Sequence, residues 1–242
     1  MIEVIVSERL ASIGVRRDDV FRKYYKFGSE NVARVEFRCA TNAYRAGVPS
    51  PEPLGFGYSV ERGLYYCDFK HLELQRIGSD DFSRDFFYEI AELANTLQEV
   101  KIRVPQESWS RYLRVCREVI NWLPKKNQRN VLSFIDEIET ESPAAFVHGD
   151  FSLENIGRDV ATGKLILFDF QDACCGLPGW DLAYFLSSIP WRSVPVQMLD
   201  RRIEVYIKAI TAIKFARGLR KGHEVRTRRD NFAHWWNTEE WN

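Results

Sequence analysis

The first third of the chain changes its hydrophobic pattern twice. Residues 2–6 (IEVIV) and 20–26 (VFRKYYK) are rich in β-branched and aromatic side chains, the content of strands, although neither alternates strictly. From Ser29 onward Val32, Val35, Cys39 and Ala43 recur at helical intervals, which predicts a helix with Ser29 as N-cap and Gly47 as its stop. Pro49, Pro51 and Pro53 then force an extended stretch, and residues 63–69 (GLYYCDF) predict another strand. Beyond about residue 72 helical periodicity takes over. Phe86, Ile90, Leu93 and Leu97 mark one face of a helix over 81–99, and two further helical patterns cover 107–122 and 126–139. Short β-like pieces (AFVHGD, NIGR, KLILFDF) interrupt this half over 145–170. The pattern predicts an α+β chain: a small β-rich lobe over residues 1–70 and a larger helical lobe over 71–242, joined near Asp68–His71.

Composition narrows the function classes without choosing among them. The 242 residues carry 34 Lys+Arg against 34 Asp+Glu, which argues against a nucleic-acid coat or a polybasic membrane anchor. The five cysteines (Cys39, Cys67, Cys116, Cys174, Cys175) are odd in number and lack a C-x-x-C spacing, so they read as buried free thiols in a reducing compartment. The N-terminus MIEVIVSERL lacks the long apolar core of a signal peptide, and no apolar run approaches the roughly 18 residues of a membrane span. A cytoplasmic protein is expected.

The chemistry concentrates in HGDFSLENIGRDVATGKLILFDF, residues 148–170. Thr162-Gly163 signals a turn, so Ile156–Arg158 and Lys164–Phe168 can pair as an antiparallel hairpin. Symmetry about position 162 places Asn155 opposite Asp169 at the open end. An amide oxygen and a carboxylate side by side are hard ligands of the kind magnesium prefers. Asp150, on the loop entering the hairpin, can face the same point and accept a hydroxyl proton.

H-G-D-x-x-x-x-N followed by a strand ending in D-F resembles the catalytic segment of the aminoglycoside phosphotransferase and choline kinase family, small-molecule kinases of the protein-kinase-like fold. The continuation QDACCGLPGWDLAYFL (171–186) is similar to the same family's small-residue loop and helix start. The resemblance implies a two-lobed fold with a catalytic β-hairpin, ATP and Mg2+ as cofactors, and transfer of the γ-phosphate to a hydroxyl of a small molecule. It also implies Asp150 as catalytic base, Asn155 and Asp169 as metal ligands, Asp181 as a brace for the catalytic loop, and His148 as a support of that loop's backbone.

A kinase of this kind needs a cation for the nucleotide phosphates and a helix carboxylate to orient it. Glu36, beside the apolar stripe of its helix, fits the second role. Lys23, Arg22 and Lys26 compete for the first; Lys23 is favoured, with Phe21 beside it as an apolar cover. Asp68, Phe69 and His71 at the joint are expected to border the nucleotide. Two departures stand out: only about 20 residues precede the lysine strand, and no G-x-G-x-x-G is present, Gly14 and Gly28 being isolated. Asp172 is expected to stabilise its loop.

The acceptor is less legible. FRKYYKFGS, AGVPSPEPLG and GLYYCDF are similar to the small lobe of lipopolysaccharide inner-core kinases, which implies a sugar or sugar-containing acceptor. A nucleotide-binding scaffold of the same fold and, last, a peptide or protein Ser/Thr kinase are the rival readings. Residues 191–242 hold 11 Lys+Arg against 6 Asp+Glu, which tilts the acceptor toward an anionic or neutral compound. Arg220, Lys221, Arg226, Arg228 and Arg229, followed by Phe232, Trp235, Trp236 and Trp241, form either a charged helix with packed aromatics or a site for the acceptor or a partner chain.

Overall fold

The computed structural model describes residues 4–8, 12–27, 30–101, 107–221 and 226–236. The expected N-cap Ser29 and the tail residue Trp241 lie outside them. Five strands form an antiparallel sheet in the order β1-β2-β3-β5-β4: β1 (Val4–Glu8), β2 (Ser12–Arg17), β3 (Val20–Tyr25), β4 (Pro53–Ser59) and β5 (Leu64–Lys70). Two strands, β1 and β2, thus precede the lysine strand within the short N-terminal stretch, where the sequence pattern suggested only the first.

Strand alternation decides what each face of β3 meets. Phe21, Lys23 and Tyr25 share one face; Arg22 and Tyr24 share the other. Helix α1 (Glu30–Arg45) packs under the first face, burying Ala33, Glu36, Cys39, Ala40 and Ala43. The Cys67 thiol, opposite Lys23 in register, donates to the Ala33 carbonyl at 3.2 Å. On the outer face Arg22 lies opposite Asp68 and Tyr24 opposite Tyr66.

The helical part comprises α2 (Arg84–Gln98), α3 (Glu107–Ile120), α4 (Lys125–Thr140), α5 (Trp180–Leu186), α6 (Arg201–Arg220) and α7 (Arg226–Trp236). Ser83 caps α2 by accepting from the Phe86 amide at 3.2 Å, which sets its start three residues after the expected one. Set among these helices are β6 (Leu74–Arg76), β7 (Ala145–Val147), β8 (Ile156–Asp159), β9 (Leu165–Leu167) and β10 (Cys174–Gly176). Strand β8 pairs with both β6 and β9, and β10 pairs with β7 where only a loop was expected.

The β8–β9 register differs by one residue from the symmetric expectation. Ile156 faces Leu167 and Arg158 faces Leu165, so Phe168, whose amide donates to the Asn155 carbonyl at 3.0 Å, takes the place predicted for Asp169. The cause lies in the turn. Gly163 adopts φ +71 and donates to the Asp159 carbonyl, while the Asp159 amide reaches Lys164, which moves the centre of symmetry half a residue toward the N-terminus.

The basic tail resolves toward packing. Phe232, Trp235 and Trp236 are buried, Phe232 stacked on Phe215 and Trp236 donating its indole N–H to the Lys208 carbonyl at 3.0 Å. Aromatics spent in this way are core, so the expected partner surface is reduced to the exposed charges of Arg220, Lys221, Arg228 and Arg229. Among the described residues the cysteines are free, and no helix is long and apolar enough to cross a membrane.

Candidate functional site

A cleft of about 520 Å³ opens between the sheet and the β8–β9 hairpin. Its lining includes Gly14 and Phe21 from the sheet, Lys23, Glu36, Phe69 and His71, with Phe168 and Asp169 at its floor. Lys23 is 7% exposed and shared among three elements. Its Nζ donates to Glu36 Oε2 at 2.9 Å on α1, to Asp169 Oδ1 at 2.7 Å after β9, and to Gln171 Oε1 at 3.4 Å. Burial pulls the ammonium's pKa down, but the Glu36 and Asp169 carboxylates outweigh it and the net direction is up, so Lys23 stays charged.

Glu36 is 1% exposed. Burial pushes its carboxyl up, against the pull of Lys23 and of the Tyr25 hydroxyl, which donates to Oε2 at 2.5 Å. Tyr25 went unmarked in the sequence, yet its signal was there: two residues beyond Lys23 on one strand, it points to the same face.

Two expected cleft residues face elsewhere. Arg22 and Asp68 lie across from each other on the outer side of the sheet and bind bidentately, at 2.6 and 2.8 Å, with the Arg22 guanidinium 3.8 Å from the Tyr66 ring centroid. The hydrogen bond to Asp68 raises the Arg22 pKa further. Side-chain alternation, which turns Lys23 and Cys67 inward, necessarily turns this pair outward. Lys26, at the strand's end, does not line the cleft.

The loop after β7 is held by contacts from both directions. Asp181, in the first turn of α5, accepts the His148 amide at 2.7 Å and the Gly149 amide at 3.2 Å. The buried His148 ring accepts the Asp150 amide at Nδ1 (3.3 Å), which leaves Nε2 to donate to the Phe168 carbonyl at 3.1 Å. Burial lowers the His148 pKa, consistent with this neutral tautomer. The imidazole therefore ties the loop to the residue preceding Asp169. Gly149 has φ +82, and a Cβ there would stand 2.3 Å from the Asp172 carbonyl oxygen.

Asp150 and Asn155 meet directly. Asn155 Nδ2 donates to both the Asp150 carbonyl and Asp150 Oδ2 at 2.9 Å. Its Oδ1 is buried and lacks a hydrogen-bond partner among the described residues. An orphaned amide oxygen beside a carboxylate-bearing turn is the donor set of a hard cation, so the residues fit magnesium. Asp169 presents its side chain from a left-handed backbone, φ +72, uncommon for a residue with a Cβ. No cluster of three or more His, Cys, Asp or Glu side chains suited to a metal occurs among the described residues; this set is an amide with carboxylates. Asp172, on the turn after β9, sets its backbone carbonyl against Gly149.

Burial pushes the Asp181 carboxyl up to about 7, opposed by its two backbone donors. A carboxyl whose folded pKa exceeds its unfolded value contributes stability below the unfolded pKa that is lost as pH rises through the folded one. Stability of the wild type, relative to Asp181→Asn, should therefore fall between about pH 4 and pH 7, by a few kcal/mol. Chemical denaturation of both proteins across that range measures it; parallel profiles would contradict the prediction.

Comparison with known proteins places this fold. A choline/ethanolamine kinase family protein from Mesorhizobium loti superposes with a TM-score of 0.70 at 15% identity, covering 100% of this chain and 90% of its own. The GDP complex of aminoglycoside 2'-phosphotransferase-IIIa gives a TM-score of 0.66 at 14% identity, with 97% and 93% covered. A ternary complex of aminoglycoside phosphotransferase APH(4)-Ia with ADP and hygromycin B gives 0.63 at 15%, with 96% and 90% covered. At such identities the likeness establishes the kinase-like fold. No curated protein sequence matches the chain. The sequence profile of the phosphotransferase enzyme family matches residues 13–235, and the chain belongs to that family.

Proposed function

We propose that the protein is an ATP-dependent O-phosphotransferase that phosphorylates a hydroxyl of a small molecule, a sugar or sugar-containing compound. A lipopolysaccharide inner-core sugar is a narrower form of the same reading. The observation that carries it is the buried Lys23 ammonium held between Glu36 and Asp169, with Asp150 and Asn155 joined on the adjoining loop. A permanent positive charge at the floor of a cleft suits the phosphates of a nucleotide, and solved relatives of this fold carry GDP or ADP.

Each side chain then has a physical task. Lys23 offers its N–H groups to phosphate oxygens while Glu36 and the Tyr25 hydroxyl fix its position. Phe21 and Phe69 give the base an apolar wall. Asp150 takes the acceptor's hydroxyl proton as the oxygen attacks, and Asn155 Nδ2 orients the accepting carboxylate. His148 and Asp181 keep the loop in place without contact to the reacting atoms. Asn155 and Asp169 would hold magnesium, which when bound neutralises charge on the transferring phosphates.

Thermal unfolding with ATP, with and without magnesium, tests nucleotide use. At a hundred times its dissociation constant a ligand adds about 2.7 kcal/mol of stability, a readily measured shift. Magnesium should strengthen that shift in the wild type and have no effect on it in Asp169→Ala. A protein that neither shifts with any nucleotide nor consumes one with sugar acceptors is not a kinase.

A further inference from the structure

Among the helices lies a group of titratable side chains that phosphate handling does not use. They come from three helices: Tyr112 on α3, Tyr184 on α5, and Lys214 and Arg217 one turn apart on α6. Tyr184 stands on the same short helix as Asp181, whose carboxylate holds the His148–Gly149 amides of the Asp150 loop, and the Lys214 ammonium sits 3.5 Å from the Tyr184 ring centroid. This group therefore packs behind the helix that holds the Asp150 loop.

Lys214 is committed to the fold. Its Nζ donates to the Tyr184 carbonyl at 3.0 Å, to Ser187 Oγ at 3.0 Å and to Ser188 Oγ, which uses all three N–H groups. Arg217 differs. Half-buried, its side chain has no hydrogen bond or ion pair among the described residues, and its guanidinium lies 5.8 Å from the Tyr112 ring centroid. A guanidinium carries five N–H donors and remains charged at every accessible pH. Beside it the Tyr112 hydroxyl is buried and equally without a partner.

A half-buried guanidinium that no side chain of the fold engages has its donors open to an acceptor-rich ligand, and the buried Tyr112 hydroxyl beside it keeps the cost of a lost hydrogen bond until an acceptor reaches it. We infer that Arg217, with the Tyr112 hydroxyl, anchors an anionic oxygen group of the phosphoryl acceptor, a carboxylate or a phosphate, and thereby sets a hydroxyl of that molecule at Asp150. The inference rests on the proposed kinase activity and adds a substrate class to it: anionic sugars, in contrast to cationic or neutral ones.

Binding, measured apart from turnover, separates the two readings. The magnesium–ADP-loaded protein is titrated by calorimetry with glucuronate, glucose 6-phosphate, glucose and glucosamine. Glucuronate or glucose 6-phosphate should bind about ten- to a hundredfold more tightly than glucose, and which of the two wins tells carboxylate from phosphate. Arg217→Gln should abolish that preference, Arg217→Lys should restore part of it, and Tyr112→Phe should weaken it with the fold undisturbed. Equal binding of glucose or glucosamine, binding by neither anion, or a preference that survives in Arg217→Gln overturns the inference. Anion binding without phosphate transfer to any of these sugars leaves the anchor standing and counts against the kinase reading instead.

Discussion

Asp150→Asn is expected to lower the acceptor-dependent turnover about 10²–10⁴-fold while leaving nucleotide binding in place. The change keeps the shape of the side chain and removes its capacity to take a proton. Asn155 Nδ2 still has the residue-150 carbonyl as an acceptor, so the loop retains that contact. A structural role would predict the reverse pattern, with reduced stability and reduced nucleotide affinity but modest change in turnover of the folded fraction. Measuring kcat alongside the nucleotide-induced thermal shift separates the two. Unchanged turnover in the variant removes Asp150 from the mechanism altogether.

The second large effect is structural. Gly149→Ala should destabilise the protein by about 3 kcal/mol or more, because the new Cβ would stand 2.3 Å from the Asp172 carbonyl oxygen and the backbone sits at φ +82. Gly163→Ala is the matched control: its φ is +71, but nothing lies within 4 Å of its Cβ. That variant should lose only the cost of a left-handed alanine, about 1–2 kcal/mol. Denaturant unfolding of the pair isolates the steric contribution of the loop's approach to the segment after β9. Equal losses in the two variants would show that the close approach relaxes freely.

What the sequence conveyed depended on how locally each feature is encoded. His148, Asp150, Asn155 and Asp169 fall within one short stretch bounded by a turn signal, so their proximity follows from a single hairpin. Even there the register missed by one residue, because it hangs on the left-handed Gly163 and its bond to the Asp159 carbonyl rather than on the side chains flanking the turn. The choice of Lys23 over Arg22 was harder. Alternation separates the two, but only the packing of α1 under the sheet says which face is buried. Asp68 was misplaced for the same reason, as the cross-strand partner of Arg22.

Tyr112, Tyr184 and Arg217 carried no usable signal, being brought together by three helices far apart in the chain. The tail was ambiguous for a related reason. Tryptophans on a basic helix can serve a surface or a core, and the contacts of Phe232 with Phe215 and of Trp236 with Phe134 are what select the core.

The single ammonium of Lys23 has one more consequence. It joins β3, α1 and the turn after β9 through one atom, so the five-stranded sheet and the β8–β9 hairpin are coupled by a bond that any anion reaching Lys23 must share or displace. On the proposed function, a phosphate at Lys23 competes with Asp169 for its N–H groups, so the contact between sheet and hairpin would weaken as the carboxylate becomes free for another ligand. Weakening of that contact and release of the Asp169 carboxylate would then be one event, set by the same nitrogen.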